Sequence, residues 1–466
     1  MFLPVPVFWA LYDLQGSLWV LQAVLMDGRL GSYTLLPDQM SVVNACLILF
    51  FIPIFQGLVY PAVRKCGIDP TPLRRMVAGG YLASLSFVMA TLVYLVVLGT
   101  VTPTPPSDQF GLAWANSFPC TVNITATSPP SLSASYSLAY NQSTKALHSV
   151  TGASNGVVSA TWAVTSSTSG CVPAGTQVVT NTSGGGWYLA AASPIPPASS
   201  LKADLQKAET GEGQFKLSLS NLLVDADSRY LFWCYCGAKT LSAEQECKAA
   251  ACDPKDTEGF QAFQSSQGAA SHFLELKPGG WALFQANETG YADKSWDKHQ
   301  LGASYPFQRL PLQLLVYEQG GIYALFASGS KSNITKTVVT VSPANTISIL
   351  LQIPQYIVIT AGEILFSITG LEFSYSQSPM SMKACVQAVW LLTVAGGDLI
   401  DVIIAISDTI QNPAYELLLY AVLMAVVITV FMLMSIYWYT YTYYEAGDEE
   451  EHQHHHHDQQ KEQPHD

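Results

Sequence analysis

Residues 346–373 form an apolar run long enough to cross a bilayer, and an acid, Glu363, sits inside it. An ionised acid at mid-bilayer costs about 2.5–3.5 kcal/mol on insertion scales, so Glu363 must be protonated, paired or turned toward a wet cavity. At 3.6 residues per turn Gln352, Tyr356, Glu363, Ser367 and Gly370 share one stripe, which favours the cavity. The plainer alternative is a glutamate satisfied by a neighbouring helix. Pro354 removes a backbone hydrogen bond part-way along the run, which is tolerated where a neighbour or a cavity re-satisfies the freed carbonyl.

Three more apolar runs carry polar groups that bear on the same chemistry. Asp13 follows Trp9 by four residues, which sets an acid and an indole on one helix face with Gly16 beyond them; Phe8, Tyr12 and Gln15 form the adjacent stripe. Such stripes serve packing or binding, and an intramembrane acid nearby brings binding forward. A second run opens on Asp38, Gln39 and Asn44 and holds Pro53 and Pro61, so two bends are expected. Asn44 is either a hydrogen-bonding wall of a site or interhelical glue. A third run aligns Trp390, Gly397 and Asp401, with Asp398 one turn before Asp401. Two acids so close repel if both ionise, so one stays protonated or both reach the outer interface. No Ser-His-Asp set, H-x-x-x-H helix, P-loop or heme motif appears, and the apolar runs contain no His, so a membrane enzyme is a poor reading.

The elements that position these groups follow from composition. Hydrophobic residues make up 49% of the 466 and charged residues 12%, about half the usual charged share of soluble domains. The class is a membrane protein. Spans are expected at 2–26, 40–63, 76–101, 346–374, 381–405 and 415–440, six in all. Net charge is −13, and the paired cations Arg64 with Lys65 and Arg74 with Arg75 share one short loop, which should be cytoplasmic. Nucleic-acid binding is unsupported. The start lacks a basic region before its apolar stretch, so it does not read as a cleavable signal peptide. Counting crossings from the basic loop leaves residues 102–342 outside, with the turn at Lys383 and the C-terminal tail inside. Sequons at Asn123, Asn141, Asn181, Asn287 and Asn333 all fall in that insert, in agreement with the charge rule.

The insert is rich in Ser, Thr, Gly, Ala and Pro with short alternating runs, which suits β-strands. Its length predicts two sandwich lobes divided near 195–212. Six cysteines lie there: Cys120, Cys171, Cys234, Cys236, Cys247 and Cys252. Outside the cell they should form disulfides, and two lobes suggest Cys120 with Cys171 and the later four among themselves, with a zinc site on the later four as the minor alternative. Trp162 lies too close to Cys171 for immunoglobulin spacing. Beyond the last span, the tail 445–466 has no apolar residues to build a core and reads as disordered; its His454–His457 cluster is low-complexity sequence before it is a metal site. Tyr437, Trp438, Tyr439, Tyr441, Tyr443 and Tyr444 read as an interfacial anchor.

The stretches FWALYDLQGS, PDQM with VNACLILFFIPIF, LQIPQYIVITAGEILFSITGLEFSYSQSP and VQAVWLLTVAGGD resemble the second half of animal proton-coupled oligopeptide transporters, the solute carrier family 15 of the major facilitator superfamily. The resemblance covers about 1–100 and 344–444. It implies an α-helical polytopic membrane protein: the six-helix second half of the bundle, with residues 1–101 as its seventh to ninth helices and 343–444 as its tenth to twelfth, and 102–342 as an all-β extracellular insert. It implies proton-coupled symport of di- and tripeptides across the plasma membrane by alternating access, with the proton as coupling ion and no other cofactor. On this resemblance Glu363 holds the peptide ammonium with help from Asn44. Trp9, Phe8, Gln15, Ser367 and Trp390 line side-chain pockets, and Asp13 belongs with Glu363 to the proton and gating network. The chain departs from the family pattern at Leu14, Gln56 and Asp398. The first six helices are expected to be missing through incompleteness at the N-terminus, and to be required for transport. The alternative is a non-transporting membrane glycoprotein whose insert binds extracellular partners.

Overall fold

The structure is a computed structural model that describes residues 2–31, 33–67, 69–150, 157–195, 200–208, 213–224, 231–237, 260–263, 268–286, 307–330, 332–407 and 412–440. It divides into two compact units: Met1–Ala23 with Asp38–Leu98 and Ile349–Asp466, and Val24–Pro37 with Gly99–Ser348. The expectations for Cys247, Cys252, Asn287, Tyr441, Tyr443, Tyr444 and the tail lie outside the described residues, as does part of the 195–212 boundary.

The first unit is helical. Among the described residues five helical stretches are long and apolar enough to cross a membrane: Pro37–Lys65, Pro72–Leu98, Ile349–Ser376, Lys383–Ile404 and Pro413–Tyr437. The first expected span is the exception to the count of six. It is helix α1 (Val5–Val24), and its Tyr12, Asp13, Gln15, Gly16 and Gln22 lower its hydropathy. Twenty residues still reach about 30 Å, the thickness of the hydrocarbon layer. Its Phe8, Trp9, Tyr12, Gln15, Trp19 and Gln22 are all buried, so it is a packed interior helix.

Pro37–Lys65 runs as α2 (Met40–Ile54), a π turn over Phe55–Val59 and α3 (Tyr60–Lys65). Pro53 lies inside α2, and Pro61 follows directly on the π turn within the same continuous helix. The widened turn beside it accommodates the hydrogen bond that Pro61 cannot make. Helix α4 (Pro72–Leu98) packs through small residues: a Cβ on Gly79 would lie 2.6 Å from the Gly362 carbonyl oxygen, and one on Gly80 would strike Ile428. Ser84 Oγ donates to the Ala421 carbonyl at 2.8 Å, which ties α4 to the last helix.

The run that carries Glu363 is a 3₁₀ turn at Ile349–Gln352, α5 (Ile353–Glu363), a π turn over Ile364–Ile368 and α6 (Thr369–Ser376). Pro354 lies in the first turn of α5, so the break it marks falls at the 3₁₀–α junction near the start of the span rather than part-way along it, a correction to the sequence reading. Helices α7 (Lys383–Ser407) and α8 (Pro413–Tyr437) complete the unit, α8 capped by Asn412 Oδ1 accepting from the Ala414 N–H at 3.0 Å.

The second unit is a stack of β-sheets. Four four-stranded sheets lie among the described residues. In one, Gln109–Asn116 pairs parallel with Trp187–Ala192 and antiparallel with Ser143–Ser149; a second is built on Val122–Ser128, Val157–Ser166 and Gln177–Ser183. In a third, Phe215–Leu223 pairs parallel with Ile322–Ser330, which pairs with Asn333–Ser342; the fourth centres on Leu231–Gly237, Gly279–Ala286 and Phe307–Val316. The first two enclose a core of Phe110, Trp114, Ile124 and Trp162, and the last two one of Phe215, Trp233, Trp281 and Leu312.

The two lobes are not separate bodies. A third core of Ala113, Ala115, Trp187, Leu189, Leu222, Ile322, Phe326 and Val341 lies between the first and third sheets, giving four layers and three cores. The middle sheets are buried on both faces, as Trp187–Ala192 and Phe215–Leu223 are along their whole lengths, whereas the outer strand Gln177–Ser183 alternates exposed and buried. The strand Leu201–Lys202 still pairs with Trp187–Ala192, so the first lobe's sheet extends beyond the start of the expected boundary. Cys120 and Cys171 are joined by a disulfide, and Cys234 and Cys236 are each engaged in a disulfide, which removes the zinc alternative. Cys46, Cys66 and Cys385 are free and exposed.

Candidate functional site

The site forms where α1, α2 and α5 meet around one carboxylate. Glu363 ends α5, immediately before a π turn, a local widening that inserts an extra residue into the helix and recurs at functional sites. Its Oε2 accepts from the Tyr12 hydroxyl at 2.5 Å and from Asn44 Nδ2 at 3.3 Å. Asn44 Nδ2 also approaches the Tyr12 oxygen at 3.5 Å, while its Oδ1 accepts from Thr360 Oγ1. Among the described residues no protein donor reaches Oε1. The carboxylate thus has one oxygen held by two neutral donors and one left for something else, with no cation beside it.

Aromatic rings wall this group. Phe8 stacks on Phe366 with centroids 3.6 Å apart, Trp9 meets Tyr12 edge to face at 5.8 Å, and Trp390 meets Trp9 at 6.4 Å and Phe366 at 6.3 Å. Two glycines make this possible. A Cβ on Gly370 would overlap the Trp390 ring, and one on Gly397 would lie 2.5 Å from Trp9 Cβ, so α7 closes against α1 and α6 only because both positions are bare. Trp9 Nε1 and Gln15 Oε1 are buried and have no partner among the described residues. Polar groups left open beside an aromatic wall suit a small ligand with both amide and apolar parts.

Asp13, one turn beyond Trp9 on α1, lies close to α7. Its carboxyl meets that of Asp398, with Asp401 and Glu363 as further acidic neighbours. Tyr420 donates to Glu416 at 2.7 Å, and Asp401 Oδ1 is buried without a partner among the described residues.

The polar stripe expected along residues 352–370 is two clusters. Gln352 and Tyr356 belong to a second group in which Gln352 and Gln355 both donate to Gln22 Oε1 at 3.0 Å and Tyr356 meets Trp19 edge to face at 4.9 Å. The split from Glu363 is one of height, because Tyr356 precedes it by two turns of α5, about 10 Å; the π turn displaces only residues within or beyond it, Ser367 and Gly370. Ser367 lies inside that turn, partly buried, and Gly370 lies under Trp390. Sequence reasoning brought Glu363, Asn44, Phe8, Trp9 and Trp390 to one place. It assigned no role to the Tyr12 hydroxyl, Thr360 or Phe366. Thr360 was accessible as the residue three before Glu363 on the same helix, whereas Phe366 depends on the π turn.

A sequence profile, PTR2, described as the POT family, matches residues 1–188 and 321–418. The chain belongs to the POT family. This is a family of transporters and not of enzymes, in keeping with the apolar helices of a multi-pass membrane protein. Peptide transporter family 1 of Caenorhabditis elegans is 35% identical over 94% of this chain and 55% of its own length. Solute carrier family 15 member 1 of Homo sapiens is 29% identical over 93% of this chain and 54% of its own length. The chain therefore spans about half the length of these curated relatives. A crystal structure of an auto-inhibited POT family peptide transporter aligns with 96% of this chain and 41% of its own at 15% identity, with a TM-score of 0.38 that is too low to bear on the fold.

Proposed function

We propose that this chain supplies the second six-helix half of a proton-coupled symporter of di- and tripeptides. The observation that carries the reading is the Glu363 carboxylate, held on one oxygen by Tyr12 and Asn44, open on the other, and ringed by Phe8, Trp9, Phe366 and Trp390. Every peptide presents an ammonium at one end, so one fixed carboxylate serves all of them, while flat aromatic walls tolerate varied side chains. Glu363 and Asn44 bind the ammonium; Phe8, Trp9, Gln15, Ser367 and Trp390 line the pockets. Asp13, in contact with Asp398, takes part with Glu363 in proton coupling and gating. The peptide carboxylate is met by basic residues of the first half. In this reading the protein resides in the plasma membrane, the β unit is extracellular and carries glycans and disulfides, and the tail is cytoplasmic.

The test is proton-driven uptake in vesicles by the complete transporter. Glu363→Gln is expected to weaken apparent dipeptide affinity at least roughly tenfold with surface expression retained, and a change of about twofold or less with intact gradient dependence would remove the residue from the mechanism. Should no peptide be taken up by the unaltered protein while labelled extracellular proteins are retained on cells through the β unit, the non-transporting glycoprotein is the better description.

A further inference from the structure

A groove of about 790 Å³ opens between the start of α4 and the end of α8, and Glu363 is not among its lining residues. Its lining has a particular composition: the Arg74 guanidinium, the Asp69 carboxylate, the hydroxyl residues Thr71 and Ser435, and an apolar floor that includes Val77, Ala78, Met432 and Ile436. Both helices are membrane spans, and the groove lies at their ends, beside the exposed Tyr437 and Trp438 that follow Ile436. Aromatic residues at such a position mark headgroup depth. Arg75, the next cation, is committed elsewhere: it donates to the Pro70 carbonyl, lies over the Tyr60 ring and approaches Glu372. Arg74 makes one contact, from Nη1 to the Asp69 backbone carbonyl at 3.2 Å, and the Asp69 carboxylate has no partner among the described residues. Two opposite charges thus line one groove without pairing to each other.

We propose that this groove binds a phospholipid whose headgroup carries a phosphate and a primary ammonium, as phosphatidylethanolamine does. The phosphate meets Arg74 and the hydroxyls of Thr71 and Ser435, the ammonium donates to Asp69, and an acyl chain lies along Val77, Ala78, Met432 and Ile436. Charge complementarity selects this occupant. A purely anionic headgroup sets its charge beside Asp69, and a choline headgroup has no N–H with which to bond a carboxylate. The inference rests on the membrane reading and is independent of what the transporter carries.

The experiment is native mass spectrometry of the full chain released from detergent after exposure to phosphatidylethanolamine, phosphatidylcholine or phosphatidylglycerol with matched acyl chains. Phosphatidylethanolamine adducts are expected to exceed phosphatidylcholine adducts roughly tenfold, the difference made by one charge-assisted hydrogen bond. Asp69→Asn should erase that preference, Arg74→Gln should lower retention of both, and Met432→Trp, which fills the apolar floor, should remove adducts altogether. Free phosphoethanolamine, which lacks acyl chains, should leave the adducts in place. Equal retention of the two zwitterionic lipids, preference for phosphatidylglycerol, displacement by the free headgroup, or a preference that survives Asp69→Asn overturns the proposal. If Asp69→Asn yields no folded protein, the three-lipid comparison on the unaltered chain decides alone.

Discussion

Glu363→Gln isolates the charge at the centre of the site from its shape. Glutamine keeps a carbonyl oxygen where Tyr12 and Asn44 now donate, at 2.5 and 3.3 Å, so the local packing and these two bonds survive. What disappears is the negative charge on the open side of the group. A hydrogen bond between charged partners contributes about 1.5–3 kcal/mol. Glu363 is only partly buried, so water screens it and the lower part of that range applies, about 1.5–2 kcal/mol. The expected loss in apparent peptide affinity is therefore roughly ten- to thirtyfold, with a further loss in turnover if Glu363 also carries the proton. The assay is the initial rate of labelled dipeptide uptake against concentration in vesicles, normalised to transporter in the membrane, with and without an inward proton gradient. A change of twofold or less in apparent affinity together with intact gradient dependence would refute the assignment. Glu363→Asp provides the control for reach, since it keeps the charge but withdraws it from Tyr12.

Further outcomes follow from other parts of the molecule. Gly79→Val should sharply reduce folded protein in fluorescence-detected size exclusion, because its Cβ meets the Gly362 carbonyl at 2.6 Å and α4 must move from α5, at a cost of about 1–3 kcal/mol or more. Lys207, in the β unit, donates to Asn345 Oδ1 at 2.6 Å and to the Pro343 carbonyl at 3.2 Å, and burial lowers its ammonium from 10.5 to about 8. Because the unfolded chain holds that proton more tightly, stability should rise as pH increases from about 8 to about 10.5, by up to ~3 kcal/mol, and be flat below; Lys207→Gln should remove this rise from thermal unfolding profiles read on the β unit. Asn123, Asn141, Asn181 and Asn333 are exposed, so glycosidase treatment of intact cells should increase the mobility of the chain on a denaturing gel, and an unchanged mobility beside a shifted control glycoprotein would reverse the proposed topology. Residues 1–466 expressed alone should not move dipeptides, whereas co-expression with the first half of a close relative should restore uptake; saturable uptake by the chain alone would overturn the need for two halves.

The acid and its aromatic company were legible because an apolar run makes a single Glu conspicuous and because Trp9 and Asp13 differ by one helical turn. The detailed geometry was not. The π turn over Ile364–Ile368 follows from no residue pattern visible in the chain, and it moves Phe366 onto Phe8 and ends the polar stripe. In the β unit the outer strands announced themselves by alternation, as Gln177–Ser183 does, because one face meets water. The middle strands did not betray their double burial: Trp187–Ala192 shows no alternation, whereas Phe215–Leu223 alternates as if one face met water although both are covered. Their long-range parallel pairings, of Gln109–Asn116 with Trp187–Ala192 and Phe215–Leu223 with Ile322–Ser330, joined two expected lobes into a single stack.

That stack imposes an order on the chain's own synthesis. Strand Phe215–Leu223 is buried along its whole length, yet Lys216 waits for Ile322, and everything between them must be made first. During that interval the apolar face of Phe215, Leu217, Leu219 and Leu223 stands uncovered, and pairing at such separation is slow. Resident chaperones of the compartment that receives the β unit therefore have a defined client and a defined window. Any transcript or premature stop that ends the chain before about residue 330 leaves the strand permanently uncovered. Such products should be held back and degraded, even when the helices that precede the β unit have already been inserted.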